Sequence, residues 1–247
     1  MDLKGKVAIV TGGGTGMGKA VSTLLAASGV SIAVNYSRSE DDAVATAEEL
    51  TRAGVEAMPI RADVSVAADV AAMIEQTERQ LGRVDILVNN AGYTKFVPMN
   101  DLEGMPEDDW DRIMDVNVKG IWLCTKAAAP AMRRAGGGAV VNVTSVAGLK
   151  VAGSSMAYAV SKAAAIHLTK CLAAALAPDV RVNSVAPGLV FTRWWAHAAD
   201  RQAQMEAGLP LKRSVSPEEV ASTMVELIRN DSITGQTIAL DAGGLLS

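Results

Sequence analysis

The stretch KVAIVTGGGTGMGKAV, residues 6–21, decides how the rest of the chain is read. KVAIV is apolar with no period-two alternation, as expected of a strand covered on both faces. It runs directly into Thr11-Gly12-Gly13-Gly14-Thr15-Gly16-Met17-Gly18 and then into a helical pattern. Glycines let the backbone turn sharply and approach a ligand closely. The N-terminus of the following helix offers unpaired N–H groups and the positive end of its dipole to a pyrophosphate. A glycine-rich string alone is a weak signal; between a first strand and a first helix it reads as a dinucleotide-binding loop. Gly12, Gly14, Thr15, Gly16, Met17 and Gly18 are therefore candidate cofactor-binding residues.

Six further apolar runs follow: SIAVN (31–35), EAMPI (56–60), DILVN (85–89), AVVNV (139–143), RVNSVA (181–186) and QTIAL (236–240). They too are short and nearly continuous, and predict strands buried on both faces. Between them lie helix-length segments such as DAVATAEELTRAG (42–54) and DVAAMIEQTERQLG (69–82), each ending on Gly. Ser216-Pro217-Glu218-Glu219 reads as a capping box with Pro at the first helical position. The alternation predicts one doubly wound α/β domain over residues 1–247, a parallel sheet of about seven strands with helices on both faces. Residues from about 189 to 214 interrupt the rhythm after a strand and are expected to form a lid.

The net charge of −4 carries no basic stripe, which argues against a nucleic-acid surface. Cys124 and Cys171 are too few for a disulfide framework or zinc cluster, and His167 and His197 alone make no metal site. The opening MDLKGKVAIV lacks a secretory pattern, and no apolar run reaches the ~18 residues that span a bilayer. The expectation is a cytoplasmic, metal-free protein with no membrane or nucleic-acid partner.

Asn35-Tyr36-Ser37-Arg38-Ser39 ends the second strand, where an NAD enzyme usually carries an acid for the ribose hydroxyls. No acid appears before Glu40. Arg38, flanked by Ser37 and Ser39 and preceded by Tyr36, suits a 2′-phosphate, so NADP(H) is favoured and NAD(H) stays possible. Tyr158 and Lys162, four apart in AYAVSKAAAIHL, share a helix face among apolar neighbours. A lysine there is partly desolvated unless something pairs with it. Ser145 ends the AVVNVTS strand, and Asn117 falls on the apolar stripe of Trp110, Ile113, Met114 and Ile121, where an amide is expensive unless its hydrogen bonds are filled.

At these residues the chain resembles the short-chain dehydrogenase/reductase family along essentially its whole length, in its branch of about 250 residues. The motifs are TGGGTGMG, Asp63, NNAG at Asn89 to Gly92, Asn117, Ser145, YAVSK at Tyr158 to Lys162, and Pro187-Gly188 followed by Thr192. It is also similar to the β-ketoacyl-carrier-protein reductase group, although WWAHAAD and the tail DAGGLLS depart from the usual pattern there. The resemblance implies that Asp63 with Val64 contacts the adenine and that Asn89 to Gly92, Ala91 among them, support the cofactor pocket. It implies that Pro187, Gly188, Val190 and Thr192 border the nicotinamide, and that the protein assembles as a homotetramer.

Residue chemistry and resemblance agree on alcohol–ketone interconversion by hydride transfer, with Tyr158 as proton donor, Lys162 holding the nicotinamide ribose, Ser145 orienting the substrate and Asn117 positioning a water. A free tyrosine ionises near pH ~10, so work near neutrality asks for about 4 kcal/mol of stabilisation of tyrosinate, expected largely from Lys162 with help from the positive nicotinamide of the oxidised cofactor. Tyr93, Trp194 and Trp195 are candidate substrate residues for an apolar or aromatic carbonyl; the tryptophans could equally pack against a neighbouring subunit. The full set Asn117, Ser145, Tyr158, Lys162 disfavours a non-catalytic dinucleotide sensor. The chain length and T-G-x-x-x-G-x-G spacing disfavour a sugar-nucleotide epimerase, and the retained glycine loop and Lys162 disfavour a halohydrin dehalogenase.

Overall fold

Each of the seven apolar runs becomes a strand: β1 Val7–Val10, β2 Ser31–Tyr36, β3 Ala57–Arg61, β4 Ile86–Asn89, β5 Gly138–Val143, β6 Val180–Pro187 and β7 Thr237–Leu240. The computed structural model describes residues 1–192 and 202–246. All neighbouring strands pair in parallel, in the order β3-β2-β1-β4-β5-β6-β7. Parallel neighbours require crossover connections, and helices supply them. The helices are α1 Gly16–Ala27, α2 Glu40–Arg52, α3 Ala67–Leu81, α4 Glu107–Met114, α5 Gly120–Arg134, α6 Met156–Leu176, α7 Gln202–Ala207 and α8 Pro217–Arg229.

Side chains alternate across the sheet, so even fully buried strands feed two separate cores. Ala8 and Val10 of β1 pack with Leu25 of α1, Ala47 of α2 and Met224 of α8, whereas Ile9 packs with Met73 of α3 and Cys124 and Met132 of α5. The edge strands depart from the expectation of two covered faces: β7 leaves Ile238 and Ala239 exposed, because nothing pairs beyond it among the described residues. Pro59, which cannot donate to a ladder, sits on edge strand β3, where the missing N–H costs no pairing.

The predicted helix ends are realised locally. Gly82 closes α3 with φ of 84°, a conformation that favours glycine. Ser216 Oγ accepts from Glu219 N at 3.1 Å and Glu219 Oε2 accepts from Ser216 N at 2.9 Å, completing the capping box of α8. By length and composition α6 could cross a bilayer; in this fold it packs against β6, with Ala157, Lys162, Ala165, Thr169 and Ala173 buried. Sequence order reverses direction between β1 and β4. A crevice therefore opens outside the carboxyl ends of those strands, where ligands bind in open α/β sheets.

Candidate active site

A groove of about 320 Å³ occupies that crevice. Gly12, Gly14, Thr15, Gly16 and Met17 line it at the start of α1, which carries no acidic residue in its first turn to compete with an anion. The glycines serve the loop's own packing as much as any ligand. A Cβ at Gly18 would lie 2.1 Å from the Gly12 carbonyl oxygen, and one at Gly14 would lie 2.8 Å from the Ala43 nitrogen of α2. Gly18 is accordingly outside the lining.

Three polar residues hold this loop: Asn90, which the resemblance placed in support of the pocket, and Thr11 and Asn35, to which the sequence reading gave no role. Thr11 Oγ1 accepts from Asn90 N at 2.9 Å and Ala91 N at 3.0 Å; Asn90 Nδ2 donates to the Thr11 and Gly12 carbonyls at 2.9 and 3.1 Å. Buried Asn35 accepts from Gly12 N at 3.4 Å and donates to the Ile60 and Ala62 carbonyls. The glycine loop is thus fastened to the ends of β2, β3 and β4. A polar residue closing the apolar run SIAVN was the available signal for Asn35.

Neighbouring residues of NNAG part company. Asn90, Ala91 and Gly92 line the groove, but Asn89 faces the core, donating to Thr125 Oγ1 at 3.2 Å and Asn142 Oδ1 at 2.8 Å. Asn89 therefore supports the wall from behind. At the end of the groove where the adenosine is expected, Tyr36, Ser37, Arg38, Ser39, Asp63 and Val64 line it. Arg38 is exposed and in no ion pair among the described residues, whereas Glu40 accepts from the Tyr36 hydroxyl at 2.9 Å. Asp63 is held by Ser65 and by Arg112 of α4, a groove-lining residue the sequence reading also missed.

At the inner end the chain brings Ser145, Tyr158 and Lys162 together, with Pro187, Gly188, Val190 and Thr192 forming the facing wall. Ser145 Oγ accepts from Ala147 N at 3.1 Å and donates to Pro187 O at 3.4 Å. Lys162 is 4 % exposed; its Nζ donates to Val143 O at 2.8 Å and lies 5.5 Å from the centre of the Tyr158 ring. Burial pulls the Lys162 ammonium down to about 8. Burial pushes the Tyr158 phenol up to about 12, against a hydrogen bond with Ser145 that pulls it down. In the chain alone the phenol is therefore not activated, which leaves room for the help expected from the positive nicotinamide. Desolvation disfavours both charged forms.

Asn117 lies in a π-helical turn, Asp115–Lys119, between α4 and α5. Its Oδ1 accepts from Tyr93 N at 2.8 Å, and its Nδ2 donates to Tyr93 O at 3.0 Å and Ser161 Oγ at 3.0 Å. Asn117 thereby clamps the strand-end loop to α6, and it is absent from the groove lining. Tyr93 does line the groove, but its hydroxyl donates to Asp109 Oδ1 at 2.8 Å and that carboxylate pairs with Lys95. Trp194 and Trp195 lie outside the described residues. The Cys, His, Asp and Glu side chains form no metal-sized cluster among the described residues.

A groove with a loop for a pyrophosphate at one helix end and a Ser–Tyr–Lys set at its floor fits a nicotinamide dinucleotide. The model of the short chain dehydrogenase family matches residues 6–203. The chain is 41 % identical over 243 residues to a protein of Streptomyces violaceoruber named for ketoacyl reduction in the granaticin polyketide synthase, covering 97 % of this chain and 96 % of the relative. It is 39 % identical over 242 residues to the 3-oxoacyl-acyl-carrier-protein reductase FabG of Staphylococcus epidermidis, covering 96 % and 98 % of the two chains. A short-chain type dehydrogenase/reductase from Mycobacterium marinum superposes with a TM-score of 0.89 at 38 % identity, over 98 % of this chain and 96 % of that one. The chain belongs to the short-chain dehydrogenase/reductase family, oxidoreductases that use NAD(P) and act on small molecules.

Proposed function

We propose that this protein reduces a ketone to a secondary alcohol with NADPH, and that a 3-oxoacyl thioester is the first substrate to test. The observation that carries the reading is the meeting of Ser145, Tyr158 and Lys162 at the floor of the groove, remote from the exposed Arg38 at its other end. A bound nicotinamide supplies the hydride. Ser145 Oγ orients the substrate oxygen, and Tyr158, kept as a neutral phenol by burial, gives that oxygen its proton. Lys162 holds the nicotinamide ribose and, when charged, stabilises the tyrosinate left behind. Asn117 keeps the loop of Tyr93 and the catalytic helix in register.

The exposed Arg38 beyond β2, with no acid before Glu40, supports NADPH over NADH, since a guanidinium pairs well with phosphate oxygens. The relatives named for 3-oxoacyl reduction support the substrate class. In this reading the chain is one domain over residues 1–247, the segment from about 189 to 214 closes over the substrate, and the enzyme is a cytoplasmic homotetramer. Fluorescence titration with NADPH and NADH, repeated on Arg38→Ala, tests the cofactor. Selective weakening of NADPH binding by about tenfold supports the 2′-phosphate site. Equal NADH binding indifferent to Arg38 moves the assignment to NAD-dependent alcohol oxidation, and cofactor binding without turnover of any carbonyl makes the protein a sensor.

A further inference from the structure

We propose that Arg112 is the positioning residue that aims Asp63 at the adenine amine, so that base selectivity in this protein is set from α4. The inference rests on the reading of the groove as a dinucleotide site whose adenosine end contains Asp63.

An ionised carboxylate has about four acceptor positions and no donor, so on an adenine edge it can recognise only the exocyclic amine. In Asp63, Oδ1 accepts twice from Ser65, from its N at 3.0 Å and its Oγ at 2.7 Å. Oδ2 accepts from Arg112 NH2 at 2.8 Å. Three positions are filled, and the fourth belongs to Oδ2, the oxygen that Arg112 holds. Arg112 NH1 also donates to Ser65 Oγ at 2.8 Å, closing a ring of Asp63, Ser65 and Arg112 that fixes the plane of the carboxylate. A planar fork reaching two acceptors at once does what a lysine cannot, because a point charge does not set an angle.

The groups facing Asp63 are consistent with an ionised acceptor. Burial would push its carboxyl up, but the bonds from Ser65 and Arg112 outweigh burial and hold it below the usual carboxylate range. Asp69, the acid next to it on α3, is occupied at Oδ2 by the Asp63 backbone N–H at 3.0 Å. Arg112 itself is partly buried, 29 % exposed, and lines the groove, so its role is exercised at the ligand-facing surface.

The test compares NADPH with its hypoxanthine analogue, in which a carbonyl replaces the amine, by titrating each into the parent, Arg112→Ala and Arg112→Lys proteins. The parent should prefer NADPH by about tenfold, the worth of one hydrogen bond to a charged acceptor, and Arg112→Ala should lose most of that preference. A helix that merely lost packing would weaken both ligands alike and keep the ratio. If the parent binds both ligands equally, Asp63 does not read the amine and the proposal falls with that assignment. A parent that discriminates beside an Arg112→Ala protein that discriminates equally overturns the role of Arg112 alone. Should Arg112→Ala bind neither ligand, Arg112→Lys decides: a diminished ratio supports the proposal, and an intact ratio overturns it.

Discussion

The two ends of the groove use opposite electrostatic strategies. At the floor, burial sets the proton affinities of Tyr158 and Lys162, raising one to about 12 and lowering the other to about 8. At the end proposed for the adenosine the charges keep contact with water, Arg112 paired with Asp63 at 29 % exposure each and Arg38 exposed. The difference separates two tasks. Proton transfer needs groups whose charge is easily gained or lost, which a dry environment provides. Selection between cofactors needs permanent charges in fixed places, and those are cheapest to keep where water solvates them.

The largest effect should come from the dry end. Tyr158→Phe removes the only proposed proton donor and should lower kcat by about 10³-fold while NADPH affinity, read by fluorescence, changes little. Retention of more than about a tenth of parental kcat would sink the assignment.

Lys162→Met sharpens the contrast through pH. Because the folded-state pKa of Lys162 is depressed to about 8 from 10.5, the unfolded chain binds more protons between those values. Its contribution to stability is complete above the unfolded value and is lost as pH falls towards 8. From about pH 8 to 9.5 the urea midpoint of the parent should rise relative to that of Lys162→Met, before the raised Tyr158 begins to act in the opposite sense above pH ~10. Parallel midpoints would mean that Lys162 is charged in the fold. The same variant should lower kcat by about a hundredfold.

The smallest effect belongs to the wet end. Raising ionic strength from about 0.05 to 0.5 M should increase KM for NADPH several-fold and leave kcat nearly unchanged, because exposed charges are screened and buried ones are not. A fall in kcat of similar size would show that the two ends are not electrically separate.

How much of this was legible in the sequence follows the range of each interaction. All seven strands were visible as apolar runs, and the capping box at Ser216 and the closing Gly82 depend on residues within a turn of one another. Tyr158 and Lys162 could be paired because four residues return to one helix face. The division of Asn89 from Asn90 was not drawn, although the alternation of side chains along a strand separates neighbours. Asn117 was read on an apolar helical stripe and is buried there with Ile113 and Ile121, but the π turn at Asp115–Lys119 that carries it leaves no mark in the spacing. Arg112 reaches Asp63 across 49 residues of chain, and nothing local marks such an arm. The direction of the Tyr158 shift depended on the balance of burial against charge, which spacing does not contain.

The fastening of the glycine loop has a thermodynamic corollary. Thr11, Asn90 and Asn35 already fix its backbone through bonds to three strand ends. A loop that must be ordered by its ligand forfeits about 1–2 kcal/mol per residue of binding free energy to lost conformational freedom. Here that loss is incurred when the chain folds, so a dinucleotide meets a finished mould and its contacts count almost in full towards affinity.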